Sequence, residues 1–167
     1  MRLNVLQVVM AVFSTNKKEG LDMKTLLVCP KSRGNTFTVF SYIAQKMGAD
    51  IKILSQDKSL NLSEYDTIIF GSGVYGGRIH KLLSDFFSIL SVNAFHPHCK
   101  LYLFLTWFGR SNSNQDAFNY AYRLLAKRSL KLELNTFSCF GRGFGIVRRG
   151  HPNATEIDAS LSWAKEL

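Results

Sequence analysis

The stretch Lys24-Thr-Leu-Leu-Val-Cys29, followed by Pro30-Lys-Ser-Arg-Gly-Asn-Thr36 and the residues up to Met47, decides the fold of this chain. Residues 25 to 29 form a short apolar run without polar alternation, which is typical of a parallel strand covered on both faces. After residue 35 the apolar side chains recur at helical spacing: Phe37, Phe40, Ile43, Ala44 and Met47. The pattern predicts a strand, a turn and a helix.

The predicted turn has the composition of an anion-binding site. A helix N-terminus after such a turn presents unpaired N–H groups and the positive end of the helix dipole. Gly34 lets the backbone bend close to an anion, and Ser32 and Thr36 add hydroxyl donors. Lys31 and Arg33 add positive charge. The alternative is an ordinary strand-to-helix turn with a polar cap.

The same turn resembles a known motif. Lys31-Ser-Arg-Gly-Asn-Thr36 resembles the FMN-phosphate loop of flavodoxins, which usually runs Ser/Thr, any residue, Thr/Ser, Gly, Asn, Thr. Gly34, Asn35 and Thr36 match, whereas Lys31 and Arg33 stand where the family places hydroxyl groups. Cations also suit a phosphate dianion, so the resemblance implies that residues 31–36 hold the phosphate of FMN.

The composition is that of an ordinary globular protein. The chain has 167 residues, 46% hydrophobic and 20% charged, so we expect one domain with a substantial core. Cys29, Cys99 and Cys139 are widely spaced, which argues against a disulfide framework and indicates a reducing, cytoplasmic location. The formal net charge of +9 indicates attraction to nucleic acid, an anionic membrane, a phosphorylated ligand or an acidic partner protein.

Residues 1–22 fit poorly with the rest of the chain. Leu3 to Phe13 is an apolar run of about eleven residues, which is too short to span a bilayer. A signal peptide is an alternative, although no clear small-residue cleavage site follows. We expect residues 1–22 to be an extension outside the core fold, residues 23–167 to form one flavodoxin-like domain, and no segment to be integral to a membrane.

Further apolar segments continue the alternation of strand and helix. Strands are predicted at residues 51–54, 65–70, 101–108 and 130–140, and helices at 79–90, 115–128 and 153–167. Parallel strands need long right-handed crossovers, so the pattern predicts an α/β three-layer sandwich. Its five-stranded parallel sheet suits the flavodoxin-like order 2-1-3-4-5, in which ligands bind across the carboxyl ends of strands one and three.

A glycine-rich loop, Gly71-Ser-Gly-Val-Tyr-Gly-Gly77, follows the third predicted strand. Such glycine density requires tight turning, as a purely structural loop would also show. Tyr75 is suited to cover a flat heteroaromatic ring by offset stacking. The loop resembles the isoalloxazine-binding loop of flavodoxin-like proteins, which implies cofactor contacts from Ser72, Gly73, Val74, Tyr75, Gly76 and Gly77.

The loop after the fourth predicted strand is the third element of the candidate site. In the flavodoxin family this loop borders the other side of the flavin. The resemblance implies contacts from Thr106, Trp107, Phe108, Gly109 and Arg110. Trp107 is a second candidate for stacking, or a core residue that closes the strand. The segments at residues 137–144 and 150–153 also resemble the C-terminal part of the family, so the resemblance covers residues 24 to 167.

The leading interpretation is an FMN-binding flavodoxin-like electron-transfer protein. FMN supplies the redox chemistry, so no catalytic residue is predicted. The resemblance implies exchange with redox partner proteins. Flavodoxin electron carriers are typically acidic, whereas this chain is basic, so we expect an acidic partner or a less negative potential.

A flavin-dependent oxidoreductase on the same fold is the alternative. Tyr75-Gly-Gly-Arg-Ile-His80-Lys-Leu-Leu83 is similar to the flavin loop of menaquinone-dependent protoporphyrinogen oxidases, which implies a quinone or porphyrinogen substrate. The long insertion of those enzymes before the last strand is not evident. His80 is then a candidate proton donor, or otherwise a helix-start residue.

Two further motifs are interpreted as structural. Arg142-Gly-Phe-Gly-Ile-Val-Arg-Arg149 half matches an RNA-recognition consensus, but Ile146 and Arg149 replace two aromatic residues and too few residues follow. We therefore expect no nucleic-acid partner. His96-Pro-His-Cys99 lacks distant ligands at a recognised spacing, so we expect a turn there and no metal site.

Overall fold

The computed structural model describes residues 23–57, 59–144 and 146–167. The predicted N-terminal extension lies outside the described residues. Within them, strands and helices alternate in this order: β1 Thr25–Cys29, α1 Asn35–Met47, β2 Asp50–Ile53, β3 Thr67–Gly73, α2 Lys81–Ile89, β4 Lys100–Trp107, α3 Ser113–Ala126, β5 Phe137–Phe140 and α4 Ala154–Lys165. A short 3₁₀ helix, Val92–Ala94, connects α2 to β4.

The strands form one parallel sheet in the order β2-β1-β3-β4-β5, which confirms the predicted fold. Leu27 pairs with Ile51 of β2 on one side and with Ile69 of β3 on the other. The chain therefore places β2 on one side of β1 and then crosses back to place β3 on the other side. The helices that follow β1 and β3 pack on opposite faces of the sheet, and open parallel sheets bind ligands between such neighbouring strand ends.

Helices cover both faces of the sheet, as a three-layer sandwich requires. Side chains from β1 alternate between the two cores, with Leu26 on one side and Leu27 on the other. On the first face Phe70 packs edge-on against Phe87 of α2, with the ring centroids 4.8 Å apart. On the second face Phe40 of α1 contacts Phe104 of β4 at 5.4 Å.

The fifth strand is shorter than the predicted residues 130–140. Leu132 forms only an isolated bridge to Leu101, and regular pairing begins at Phe137 opposite Phe104. The two pairings are three positions apart along β4 but five positions apart along the other segment, so the ladder cannot be continuous. Thr136 instead donates its hydroxyl proton to the Leu103 carbonyl at 2.6 Å.

Two helix ends carry well-defined caps. Gly48 ends α1 in the left-handed conformation, with φ of 68°. Asn153 begins α4 in a capping box: its side chain accepts from the Glu156 N–H, and the Glu156 carboxylate accepts from the Asn153 N–H. These caps set where the connecting loops start.

Candidate functional site

A cavity of about 350 Å³ opens at the carboxyl edge of the sheet. Its lining includes eleven of the predicted site residues: Lys31, Arg33, Gly34, Asn35, Thr36, Gly73, Val74, Tyr75, Thr106, Trp107 and Phe108. It also includes His80, the candidate proton donor, and residues that were not predicted as site residues: Cys29, Pro30, Gly141, Arg142, Gly143 and Phe144. The three predicted loops, which follow β1, β3 and β4, therefore lie next to a fourth loop, the one after β5.

The remaining predicted site residues do not line this cavity: Ser32, Ser72, Gly76, Gly77, Gly109 and Arg110. Ser72 is fully buried, where its hydroxyl donates to the Gly73 carbonyl and accepts from the His80 N–H. Ser32 accepts a hydrogen bond from Gln56. Gly109 lies against Arg148, whose Nη2 is 2.7 Å from where a β-carbon would stand.

The start of α1 presents open N–H groups to the cavity. Gly34 is the N-cap residue, with φ of 93° and ψ of −178°, and no side chain caps the helix. Among the hydrogen bonds of the described residues, none uses the N–H groups of Asn35, Thr36 or Phe37. Together with the helix dipole, these open donors are suited to an anion.

Side chains of α1 tie this loop to the ends of β4 and β5. The Thr36 and Thr106 hydroxyls are hydrogen-bonded at 2.8 Å in a buried position. Asn35 Nδ2 donates to the Arg142 carbonyl at 2.9 Å. A β-carbon at Gly141 would lie 2.5 Å from Asn35 Nδ2, so this approach requires glycine. The loop after β5 is thus part of the cavity wall.

Tyr75 stands at one end of a two-residue hairpin. Its N–H and carbonyl exchange hydrogen bonds with Arg78, while Gly76 and Gly77 have φ of 56° and 74°. These positive values at both central residues are typical of a type I′ turn. The two glycines therefore shape the turn. Tyr75 packs beside Gly73 and lines the cavity, with 59% of the residue exposed.

Two aromatic side chains line the cavity from the end of β4. Trp107 is half-buried and stacks on Phe140, with the ring centroids 5.8 Å apart and the planes 27° from parallel. It therefore packs against the core and also lines the cavity. Phe108 packs edge-on against Phe144 of the loop after β5 at 5.8 Å.

His80 brings a titratable group to the cavity. Its Nδ1 accepts a hydrogen bond from the Leu82 N–H at 3.1 Å and so caps α2. This bond assigns the neutral ring proton to Nε2. Burial lowers the pKa of His80, and the positive charge of Lys31 lowers it further. A neutral N–H donor therefore lies edge-on to Tyr75, with the ring centroids 5.5 Å apart.

The thiol in the cavity is not activated. Burial raises the pKa of Cys29 to about 11, against a smaller opposing effect of its hydrogen bond to the Lys31 carbonyl. Burial is also the main cause that raises the pKa of Tyr75. Both groups stay protonated near neutral pH, so neither is a nucleophile there.

The two motifs interpreted as structural contain no metal-ligand cluster among the described residues. His96 and His98 lie with their ring centroids 5.9 Å apart, but the described residues contain no group of three side chains suited to a metal. The segment that half matches the RNA consensus is a loop with a Gly143–Val147 bridge. No helix in the described ranges combines the length and apolar character needed to cross a bilayer.

The comparisons with known proteins agree with this geometry. Residues 27–142 match the family model of the flavodoxin domain, so the chain belongs to the flavodoxin family. An uncharacterized protein of Methanocaldococcus jannaschii is 26% identical over 136 residues, which cover 80% of this chain and 89% of that protein.

Solved structures show the same fold. Oxidised flavodoxin 1 from Bacillus cereus has a TM-score of 0.58 at 16% identity, over 86% of this chain and 99% of that one. A flavoprotein in complex with FMN from Lactobacillus acidophilus has a TM-score of 0.55 at 13% identity, over 70% of this chain and 92% of that one.

Proposed function

We propose that this protein is a flavoprotein that binds FMN in the cavity at the carboxyl edge of the sheet and carries electrons. One observation carries the proposal: the open N-terminus of α1 and the aromatic side chain of Tyr75 come from different strand-to-helix loops and line one cavity. The open helix N-terminus suits a phosphate, and the aromatic side chain suits a flat heteroaromatic ring.

The chemistry of the lining residues fits FMN. Lys31, Arg33 and the N–H groups at the start of α1 would hold the phosphate. Tyr75, Trp107 and Phe108 would contact the ring. The cavity volume of about 350 Å³ lies within the usual range of cofactor sites, roughly 300–1,000 Å³. FMN would supply the redox chemistry, and the protein would orient it and adjust its electronics.

The flavoprotein of Lactobacillus acidophilus, which shares the fold, is in complex with FMN and supports the same cofactor here. Lys31, Arg33 and Arg142 place positive charge at the cavity, and this charge would stabilise the anionic reduced flavin relative to the oxidised flavin. We therefore propose a reduction potential that is less negative than in acidic relatives, and redox partners with acidic surfaces.

An absorbance spectrum followed by FMN titration tests this function. We expect the two-banded spectrum of oxidised flavin, and FMN binding about 100-fold tighter than riboflavin binding, because riboflavin lacks the phosphate. Tyr75→Ser should weaken FMN binding. Tyr122→Ser is the matched control, since Tyr122 is also partly exposed and lies on α3 away from the cavity. A protein that stays colourless and ignores FMN contradicts the proposal.

A flavin-dependent oxidoreductase acting on a quinone or porphyrinogen is the second candidate. The specific observation in its favour is His80, which carries an Nε2 proton at the cavity wall. A carrier of single electrons does not need such a proton. Repeated turnover of a quinone such as menadione by the FMN-loaded protein would favour the oxidoreductase, and a single stoichiometric exchange would favour the carrier.

A further inference from the structure

The loop after β5 is an anchored hairpin. The Gly143 and Val147 N–H groups donate to each other's carbonyls at 3.0 and 2.9 Å. Arg148 fixes the base, because its Nε donates to the Phe108 carbonyl at 3.0 Å and its guanidinium lies 3.7 Å from the centroid of the Phe140 ring. The loop is therefore held against the end of β4.

The tip of this hairpin exposes large apolar side chains beside the cavity. Phe144 is 86% exposed and Ile146 is 68% exposed. Phe144 also has φ of 49°, which is unusual for a bulky residue. Strained backbone and exposed apolar groups both concentrate where a protein contacts a ligand or partner.

The same rim of the cavity carries uncompensated positive charge. Lys31, Arg33 and Arg142 line the cavity, Arg149 lies two residues after the Gly143–Val147 pair, and all four side chains are exposed. None of the salt bridges in the described part of the chain involves them. The neighbouring carboxylate, Glu156, already accepts from the N–H groups of Asn153 and Phe140 and contacts His151.

We infer that Arg142, Phe144, Ile146 and Arg149, with Lys31 and Arg33 across the cavity mouth, form a docking surface for an acidic protein. Arginine and aromatic side chains are enriched at the centres of protein interfaces, and charge complementarity steers the encounter. Amphipathic helices that bind bilayer surfaces present a continuous apolar face, whereas this tip offers two apolar side chains beside a recess. What the docked protein exchanges depends on the proposed function, but the docking itself does not.

The test titrates the full chain with an acidic plant-type iron–sulfur protein and follows backbone amide shifts by NMR. We expect saturable shifts centred on residues 142–149, with affinity that falls at least about tenfold between about 50 and 300 mM salt. Arg149→Glu should weaken binding by about tenfold or more, and Ile146→Ser by about fivefold. Neither residue lines the cavity, so FMN binding should be retained.

Two matched controls lie at the opposite edge of the sheet, where α2 and α3 end. Lys127→Glu makes the same charge change on an exposed residue, and Ile89→Ser removes an isoleucine that is 74% exposed. Both should change affinity less than about twofold. Equal losses in the controls, shifts centred elsewhere, or no binding would overturn the inference.

Phosphatidylserine vesicles form the second arm of the test. Co-sedimentation with these vesicles that depends on Arg149 and Ile146, without binding of the acidic protein, would assign the surface to a membrane and overturn the inference. A colourless protein that still binds the acidic protein at the hairpin would refute the proposed function alone. A yellow protein that binds it elsewhere would refute the docking surface alone.

Discussion

Gly34 determines the backbone at the start of α1. Its φ of 93° with ψ near 180° is a region that residues with a β-carbon rarely adopt. No atom lies within 4 Å of where a β-carbon would stand, so a methyl group would have space. Backbone conformation, and not packing, therefore requires glycine at this position.

Gly34→Ala should lower the free energy of unfolding by about 1–3 kcal/mol and weaken FMN binding, because the backbone must strain or move the N–H groups. Gly150→Ala is the matched control, since its β-carbon also meets nothing within 4 Å and its φ is not in the positive region. The control should change stability by less than about 1 kcal/mol. Urea denaturation checks both values, and equal losses would contradict the argument.

Residue types alone could not predict which side chains face the cavity. The glycine-rich loop was predicted as a unit, but Ser72 is buried inside β3, and Gly76 and Gly77 form the turn. The direction of each side chain depends on where the strand ends and the turn begins. For the loop after β3 that boundary falls at Gly73, because Ser72 and Gly73 still pair with Leu105 and Thr106 of β4.

At the scale of the elements, the start of α4 connects three segments through one carboxylate. Glu156 accepts from the Asn153 N–H at 2.8 Å as part of the capping box. It also accepts from the Phe140 N–H at 3.2 Å and contacts His151 Nδ1 at 2.7 Å. This carboxylate therefore links α4 to the end of β5 and to the loop that lines the cavity.

Asn153→Ala should destabilise the protein by about 1 kcal/mol, which corresponds to a fall in Tm of about 2–4 °C. Glu156→Ala should cost more, because it leaves the partly buried Phe140 N–H without its partner as well. Thr155→Ala, at an exposed neighbouring position, is the control and should stay within about 0.5 kcal/mol. Thermal unfolding measures all three, and a Glu156→Ala loss no larger than that of the control would argue against the linking role.

The elements were mostly predictable because each has a local signal. The apolar runs of β1 and β4 and the helical spacing of α1 and α2 are read directly from neighbouring residues. The length of β5 was not predictable, because it depends on the register against β4. Leu132 and Phe137 are both apolar, yet only the second continues into a regular ladder.

At the scale of the whole molecule, buried thiols and a buried phenol determine how stability responds to alkaline pH. Burial raises the pKa of Cys29 from 9.0 to about 11 and that of Cys139 to about 12. Burial, followed by a hydrogen bond to Asp50, raises the pKa of Tyr65 to about 12. Between the unfolded and folded pKa values the native state binds more protons, so stability falls as pH rises.

The contribution of the two thiols to the free energy of unfolding should therefore be constant below about pH 9. It should fall between about pH 9 and 12. Each thiol contributes about 1.4 kcal/mol for each unit of pKa shift, so a loss of a few kcal/mol is expected. Denaturant titrations from pH 8 to 11 measure this slope. The double variant Cys29→Ala, Cys139→Ala should flatten it, and an unchanged slope in that variant would contradict the assignment.

The sequence by itself indicated the alternation of strands and helices, a parallel sheet, and a loop from Lys31 to Thr36 whose composition suits an anion. Each of these depends on contiguous residues: apolar runs, helical periodicity, and a glycine before a helix. A local pattern is enough to predict these elements, because a strand covered on both faces is apolar throughout and an amphipathic helix is apolar along one face.

Only the tertiary structure decided that the loop after β5 completes the cavity that His80 also lines, and that an exposed apolar tip and exposed cations lie beside it. More than sixty positions separate His80 from Phe144 in sequence. They reach one edge because all parallel strands end there, and the strand order, not the spacing along the chain, sets which loops are neighbours.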